Sequence, residues 1–175
     1  MSKHETWRTR EYWRDVGGLL IEEFHAIKGD KKRDVGKRAI DGVIVLGEPS
    51  ATQTGGAYDF QGKDLIVIQT KSGRLGMYLM GQAYFSREIM MRYNPRSVRT
   101  VAVCGRPDPE METLCSQADI EVCVIPDSSR PIAEDYLEPS NQNAEQDGAG
   151  QPATRSESDS EGGDKPQPEA EGRSR

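Results

Sequence analysis

Three polar side chains at two apolar stretches of the chain have types and spacing that could support chemistry. Gln69 and Lys71 end one stretch, Asp64 to Lys71, and Asp41 is the single acid in the other, Ala39 to Leu46. Because side chains alternate along a strand, Gln69 and Lys71 are expected on one face, about 7 Å apart. A carboxylate and an amide oxygen are hard ligands that suit Mg²⁺ or Mn²⁺, and an ammonium can activate water or stabilise anionic charge.

Both apolar stretches are predicted to be strands, placed side by side. The four residues after Asp64 are apolar, and three of them are β-branched, which is typical of a strand buried on both faces. A buried lysine or aspartate needs a partner, and neighbouring strands would bring Asp41 next to Gln69 and Lys71. Asp59 is a rival for the role of Asp41, because it also precedes Gln69 at a workable distance. Asp41 is preferred because Asp59 lies in a turn-rich region, where an acid needs no explanation.

The order Asp41, then Gln69-Thr70-Lys71, resembles the PD-(D/E)xK signature of nucleases with the restriction-endonuclease-like fold. That superfamily includes restriction enzymes, archaeal Holliday-junction resolvases and RecB-type nuclease domains. Gln69 stands where the signature has its middle acid, and Ile40 stands where it has proline. The resemblance covers residues 16–125 and implies an α/β fold in which helices flank a mixed central sheet.

The resemblance further implies a metal-dependent deoxyribonuclease. Asp41, Gln69 and the backbone carbonyl of Thr70 would bind Mg²⁺ or Mn²⁺. Lys71 would orient or deprotonate the attacking water and stabilise charge on the phosphate. In many members a glutamate of the first helix helps to bind the metal, and Glu23 is the preferred match here. Dimers are frequent in this superfamily, so DNA and a second copy in a homodimer are the expected partners.

The segment Glu5 to Lys28 is predicted to form one long helix. Apolar residues recur along it at helical spacing: Val16, Leu20, Phe24 and Ile27. At about 100° per residue, Glu23 falls on the apolar face whereas Glu22 points away from it. The alternative to a role in the site is a glutamate at the edge of the stripe with its carboxylate in water.

Basic residues precede the Asp41 strand in the segment 31–38, K-K-R-D-V-G-K-R. Such residues could contact DNA phosphates, which position a duplex without reading its sequence. The alternative is an ordinary solvated loop. The predicted nucleic-acid-binding residues are Lys31, Lys32, Arg33, Lys37, Arg38 and Arg74.

The later part of the chain has an α/β pattern. Leu75 to Tyr93 is predicted to be a helix that is apolar over much of its circumference, which makes it the candidate dimer interface. Gln82 and Arg87 on this helix could line a cleft, or could equally belong to core and surface. A strand, a helix and a strand follow: Val98 to Cys104, Pro107 to Ala118, and Ile120 to Ile125. The whole order is helix, strand, hairpin strand, helix, strand, helix, strand.

Composition predicts one cytoplasmic domain followed by an acidic tail. The 175 residues suffice for one domain, and no apolar run approaches the roughly 20 residues of a membrane span. The N-terminal residues lack an apolar signal region, and the three cysteines form no CxxC pair, so reduced core thiols are expected. From Glu138 onward lie nine of the 29 acids but four of the 23 bases, with no large apolar residue. We therefore expect a nuclease-like domain at 1–137 and a disordered tail at 138–175.

Two functions of different classes remain open at this point. The first is a metal-dependent DNA nuclease in repair, recombination, restriction or phage biology, motivated by Asp41, Gln69 and Lys71. The second is a catalytically inactive module of the same fold that binds nucleic acid or a protein partner. Gln69 in place of an acid and the nearly neutral body motivate the second. Lys71 favours the enzyme, because a buried lysine has little structural use.

Overall fold

The computed structural model describes residues 3–130 of the chain, and side-chain burial from residue 5 onward. The predicted boundary at residue 137 and the predicted disordered tail at 138–175 lie outside these residues. Between residues 3 and 130 the chain is an α/β domain in which helices flank a six-stranded sheet. In chain order the elements are α1 (Lys3–Val16), β1 (Leu19–Ile27), β2 (Arg38–Val45), β3 (Ala51–Thr54), β4 (Asp64–Arg74), α2 (Met77–Met90), β5 (Ser97–Arg106), α3 (Pro109–Gln117) and β6 (Ile120–Val124).

The sheet is mixed, as predicted, with the strand order β3-β1-β2-β4-β5-β6. The β1–β2 and β2–β4 pairs are antiparallel, whereas β1–β3, β4–β5 and β5–β6 are parallel. The helices α2 and α3 fall on the late crossovers, where parallel strands need a long connection. The site strands β2 and β4 therefore lie at the centre of the sheet, with helices available on both faces.

The core lies on both faces of the central strands. On one face, Trp7 and Tyr12 of α1 pack with residues such as Ile66 and Ile68 of β4. On the opposite face, α2 and α3 pack against β5 and β6, with Leu79 as one of the contacts. The four apolar residues Leu65, Ile66, Val67 and Ile68 are fully buried. This burial explains why β4 is an unbroken apolar run, since the side chains on both of its faces enter a core.

The predicted long helix Glu5 to Lys28 is wrong. The helix α1 ends at Val16, and the chain then turns through Gly17 and Gly18, which have φ values of 74° and 82°. A Cβ at Gly18 would lie 2.6 Å from the carbonyl oxygen of Val45, so glycine allows both the turn and the close approach. The next residues form β1, in which the buried residues are Leu20, Ile21, Glu22, Phe24 and Ala26.

The remaining elements match the predicted order, with one addition. The strands β2, β4, β5 and β6 and the helices α2 and α3 all lie within or close to their predicted ranges. Asp108 caps α3 by accepting a hydrogen bond from the backbone N–H of Met111. The loop predicted between β2 and β4 contains β3, an edge strand that pairs with β1.

Two further expectations concern the cysteines and the membrane. Cys104, Cys115 and Cys123 are free thiols, and burial raises the pKa of each, which confirms reduced thiols set into the domain. Of the helices between residues 3 and 130, not one combines the length and apolar character needed to cross a bilayer.

Candidate functional site

The candidate site lies where β2 and β4 stop pairing. Their antiparallel register runs from Val45–Leu65 to Gly42–Ile68. The next pair in that register would be Asp41 and Gln69. Beyond the last pair, Oδ2 of Asp41 accepts a hydrogen bond of 2.8 Å from the backbone N–H of Thr70. The carboxylate thus satisfies a backbone donor at the point where the two strands diverge, and this bond holds its position relative to β4.

Burial makes the charge of Asp41 unfavourable. Its pKa lies above its usual value, because desolvation outweighs the opposing effects of the Thr70 N–H and of the Lys71 ammonium. The negative charge of Glu5 raises the pKa of Asp41 further. A second cation beside Asp41 would therefore stabilise the charged carboxylate.

Lys71 is paired with a residue that was not predicted. Its Nζ lies 3.2 Å from Oε1 of Glu5, in the first turn of α1. The Lys71 side chain is 35% exposed, so the expectation of a buried lysine is wrong, whereas the Glu5 side chain is only 14% exposed. The ammonium therefore reaches solvent while it stays beside the two carboxylates of the site.

The contact between Thr9 and Thr70 holds α1 close to the site. Their Oγ1 atoms lie 2.9 Å apart, and both residues are buried. Gly42 allows this approach, because a Cβ at that position would lie 2.7 Å from Cγ2 of Thr9. Glu5 and Thr9 are one helical turn apart and so share a face of α1. The same packing that joins α1 to β4 thus brings Glu5 to Lys71.

Glu23 is not on the first helix, so that part of its prediction is wrong. It lies in β1 with a φ of 50°, beside an irregularity in the pairing of β1 with β2. Both Glu23 and Asp41 fall between the pairs Glu22–Gly42 and Phe24–Ile40, which places them at the same level on adjacent strands. The first-helix carboxylate that acts on Asp41 is Glu5. Glu22, the residue before Glu23 in β1, is 3% exposed and forms a bidentate ion pair with Arg10.

Gln69 is buried, and its amide contacts α2. The residue is 2% exposed, and its Nε2 donates a hydrogen bond of 2.8 Å to Oγ of Ser86. Because Oε1 takes no part in that bond, the bond is compatible with a ligand role for this oxygen. Thr70, the next residue, contacts α1, so these adjacent side chains are held by helices on opposite faces of the sheet.

The site contains oxygen atoms of the hard type that divalent cations prefer. Mg²⁺ commonly takes one or two carboxylates and keeps several waters. Asp41 and Glu5 supply two carboxylates, and the raised pKa of Asp41 is the effect that a bound cation would reverse. Over the part of the chain that the structure describes, no group of three or more His, Cys, Asp or Glu side chains could hold a metal. Further ligands would therefore be the Thr70 carbonyl, the Gln69 amide oxygen and water.

The basic residues predicted to bind nucleic acid lie in three separate parts of the domain. Lys31, Lys32 and Arg33 form an exposed 3₁₀ turn, and Nε of Arg33 lies 2.7 Å from Oδ2 of Asp30. Lys37 and Arg38 lie at the start of β2. Arg74 ends β4, with its Nη1 3.9 Å from Oδ2 of Asp108. The rival acid Asp59 is exposed in a loop, where its Oδ1 accepts from the Gln61 N–H.

A groove of about 670 Å³ adjoins the site between α2 and the start of β2. Gln69 lines it, together with Gln82, one of the two residues suggested for a cleft. Arg87 instead donates to the carbonyl oxygen of Ala118 at 3.1 Å. The other residues of the groove are Lys37, Arg38, Ala39, Ile40, Met77, Tyr78, Gly81, Phe85, Ser86 and Ile89. Tyr78 and Phe85 were not singled out from the sequence, although both lie on one helical stripe with Gln82.

Comparisons of the chain with family models, with curated proteins and with solved structures found no match. The fold class therefore rests on the order and pairing of the strands. The function is inferred from the side chains around the point where β2 and β4 diverge.

Proposed function

We propose that this protein is a metal-dependent deoxyribonuclease of the PD-(D/E)xK kind, which hydrolyses phosphodiester bonds of DNA. The observation that carries the proposal is the bond between Asp41 and the Thr70 N–H, beside the Lys71–Glu5 pair. This arrangement unites a carboxylate with a raised pKa, a second carboxylate and an ammonium that reaches solvent. Such a set suits charge stabilisation at a phosphate.

The ligands proposed for Mg²⁺ or Mn²⁺ are Asp41, Gln69, the Thr70 carbonyl and Glu5, with Glu5 in the place first given to Glu23. A divalent cation supplies an acidified water and stabilises charge on the phosphoryl oxygens. Asp41 is fixed by the Thr70 N–H, so its carboxylate needs no reordering to bind a cation.

Lys71 has the role of orienting the attacking water and of stabilising negative charge on the phosphate. Its position is set by Glu5, which lies 3.2 Å away and is itself held on α1. Since 35% of the Lys71 side chain is exposed, the ammonium is accessible to a DNA strand that approaches from solvent. Lys37, Arg38 and Arg74 are the bases proposed to contact flanking phosphates, since Arg38 and Arg74 lie on the strands that carry the site and Lys37 directly precedes β2.

A second candidate function is an inactive module of the same fold that binds nucleic acid or a protein. The contact from Gln69 to Ser86 favours it, because this amide joins the sheet to α2 whether or not a metal binds. The Lys71–Glu5 pair favours the enzyme over this alternative, because it holds an ammonium that reaches solvent close to the Asp41 carboxylate.

The test is cleavage of labelled duplex, branched and single-stranded DNA by the purified protein in Mg²⁺ or Mn²⁺. We expect cleavage that EDTA abolishes and that Asp41→Asn eliminates. Asp59→Asn is the matched control, because it removes an exposed loop acid from the same region of the chain. DNA binding without cleavage in either metal would support the inactive module instead.

A further inference from the structure

The groove beside Gln69 has an apolar floor and wall that the fold does not cover. Tyr78 is 72% exposed, Phe85 is 65% exposed and Met77 is 79% exposed. All three lie on the groove side of α2. Large aromatic side chains that remain in water on one face of a helix mark a surface that binds something.

The rings have defined positions. Phe85 packs edge-on against Tyr84, with ring centroids 5.4 Å apart, and Arg87 lies over the Tyr84 ring at 5.2 Å. The Tyr78 hydroxyl lies 3.5 Å from Nε2 of Gln82. Tyr78 and Phe85 are about two turns apart on one side of α2, so each ring can offer a face to the groove without local unfolding.

The opposite wall is basic. Lys37 and Arg38 lie at the start of β2, are exposed, and form no salt bridge with any acid that the structure describes. Arg38 donates from Nη1 to the carbonyl oxygen of Lys37, which keeps its guanidinium near the groove. Aromatic rings on one wall and exposed cations on the other complement a chain of alternating bases and phosphates.

The groove also contains a polar atom without a partner. Among the described residues, Oε1 of Gln82 is shielded from water and accepts no hydrogen bond. An unsatisfied amide costs free energy unless a ligand supplies the missing donor. A nucleobase edge carries such donors, and Gln82 lines the groove in which a base would lie.

We propose that this groove binds an unpaired stretch of a DNA strand next to the cleavage site. Bases stack on Tyr78 and Phe85, the Gln82 amide contacts a base edge, and Lys37 and Arg38 contact phosphates. The volume of about 670 Å³ is in the range of sites that enclose small ligands, and Gln69 joins the groove to the candidate site. The inference rests on the proposed function and specifies its substrate as DNA with unpaired nucleotides.

The test is the binding of a fluorescent oligothymidylate, measured by anisotropy in EDTA so that no cleavage occurs. We expect Tyr78→Ala and Phe85→Ala each to weaken binding roughly 5- to 100-fold, because each removes one stacking platform. Tyr78→Phe keeps the ring and should bind like the wild type. Arg38→Gln should weaken binding and reduce its dependence on salt. The matched controls are Met91→Ala and Arg92→Gln, which change an exposed apolar residue and an exposed cation outside the groove.

Three results would overturn the inference. The first is unchanged oligothymidylate affinity in both alanine variants. The second is an equal loss of affinity for a blunt duplex, which would indicate a general cationic surface. The third is a change of oligomeric state without a change of DNA affinity. If sedimentation shows that the wild type is a dimer and that the alanine variants are monomers with unchanged affinity, the groove is an interface between two copies.

The same experiments separate this inference from the proposed nuclease activity. If the wild type cleaves no DNA but binds oligothymidylate through Tyr78 and Phe85, the nuclease proposal fails and the groove inference stands. If the wild type cleaves DNA and the two ring variants keep its preference between duplex and flapped substrates, the groove inference fails and the nuclease proposal stands.

Discussion

The carboxylate of Asp41 and the backbone amide of Thr70 are joined by a hydrogen bond of 2.8 Å at the point where β2 and β4 diverge. One oxygen of the carboxylate is thereby committed to the fold, and the other remains for chemistry. Because the bond is made to the backbone, it does not depend on the Thr70 hydroxyl. A substitution at Asp41 that keeps an acceptor oxygen can therefore change the charge of the site and preserve this contact between β2 and β4.

Asp41→Asn should abolish cleavage and leave the fold intact. The amide oxygen of asparagine can still accept the Thr70 N–H, but the variant lacks the negative charge that binds a cation. We expect the rate of plasmid nicking in Mg²⁺ to fall at least about 100-fold, with a circular dichroism spectrum like that of the wild type. An active Asp41→Asn in a nuclease-free preparation would place the metal site elsewhere, with Asp59 the first alternative.

The metal-free protein should lose stability as pH rises, in a way that depends on Asp41. The folded-state pKa of this carboxyl is raised, so its protonated form favours folding at low pH, and this contribution disappears as pH rises through the folded pKa. In EDTA, the melting temperature of the wild type should therefore fall relative to Asp41→Asn over that range. Adding Mg²⁺ at neutral pH should raise the melting temperature of the wild type again.

Asp64 provides a control of opposite sign for the pH experiment. Hydrogen bonds from Arg96 and Ser97 lower the pKa of Asp64 to about 2. Its charged form therefore favours folding above its usual pKa, and this contribution is lost as pH falls toward about 2. Asp64→Asn should remove a stabilising effect that Mg²⁺ does not change. Identical pH profiles for the Asp41 and Asp64 variants would contradict both assignments.

Glu5→Gln should impair cleavage rather than stability, because Glu5 is both a proposed metal ligand and the ion-pair partner of Lys71. The ion pair is partly exposed, so its loss should cost only about 0.2–1 kcal/mol of folding free energy. Lys71→Met should lower the cleavage rate roughly 100-fold or more. If Glu5 acts by positioning Lys71, the double variant should be no slower than Lys71→Met alone. Additive losses in the double variant would show that Glu5 acts independently, as a metal ligand would.

Gln69→Glu tests whether this position binds metal. A glutamate could accept from Ser86 and so keep the contact with α2, but it would add a charge to a residue that is 2% exposed. Without metal, the variant should be less stable than the wild type at neutral pH, because two carboxylates repel. With Mg²⁺ or Mn²⁺ it should regain stability and keep or gain activity, whereas Gln69→Ala should be inactive. A destabilised variant that neither metal rescues would favour the inactive module.

Most strands and the later helices were predictable because their apolar runs and turn residues are unambiguous. The four apolar residues after Asp64 predict a strand that is buried on both faces, and all four are fully buried in β4. Asp41 was placed correctly because an acid inside an apolar strand requires compensation. The edge strand β3 was missed because its sequence, A-T-Q-T, has no large apolar residue and its side chains are mostly exposed.

The error at the first helix had one cause and two consequences. The spacing of Leu20 and Phe24 fits both a helical turn and a strand with period 2, so the apolar residues alone did not separate the two. The glycine pair at 17 and 18 was the available signal. Because the helix was extended past it, Glu23 was given the helical role, and Glu5, on the same face as Thr9, was overlooked.

The geometry of the site depends on Gly42, although Gly42 takes no part in the proposed chemistry. A methyl group there would meet Thr9 at 2.7 Å, so even alanine would push α1 away from the sheet. Glu5 is carried on the same helix and would move with it, away from Lys71. In a saturation library selected for cleavage, position 42 should therefore tolerate almost no replacement. A search for improved variants would need to start from the helix and the glycine together.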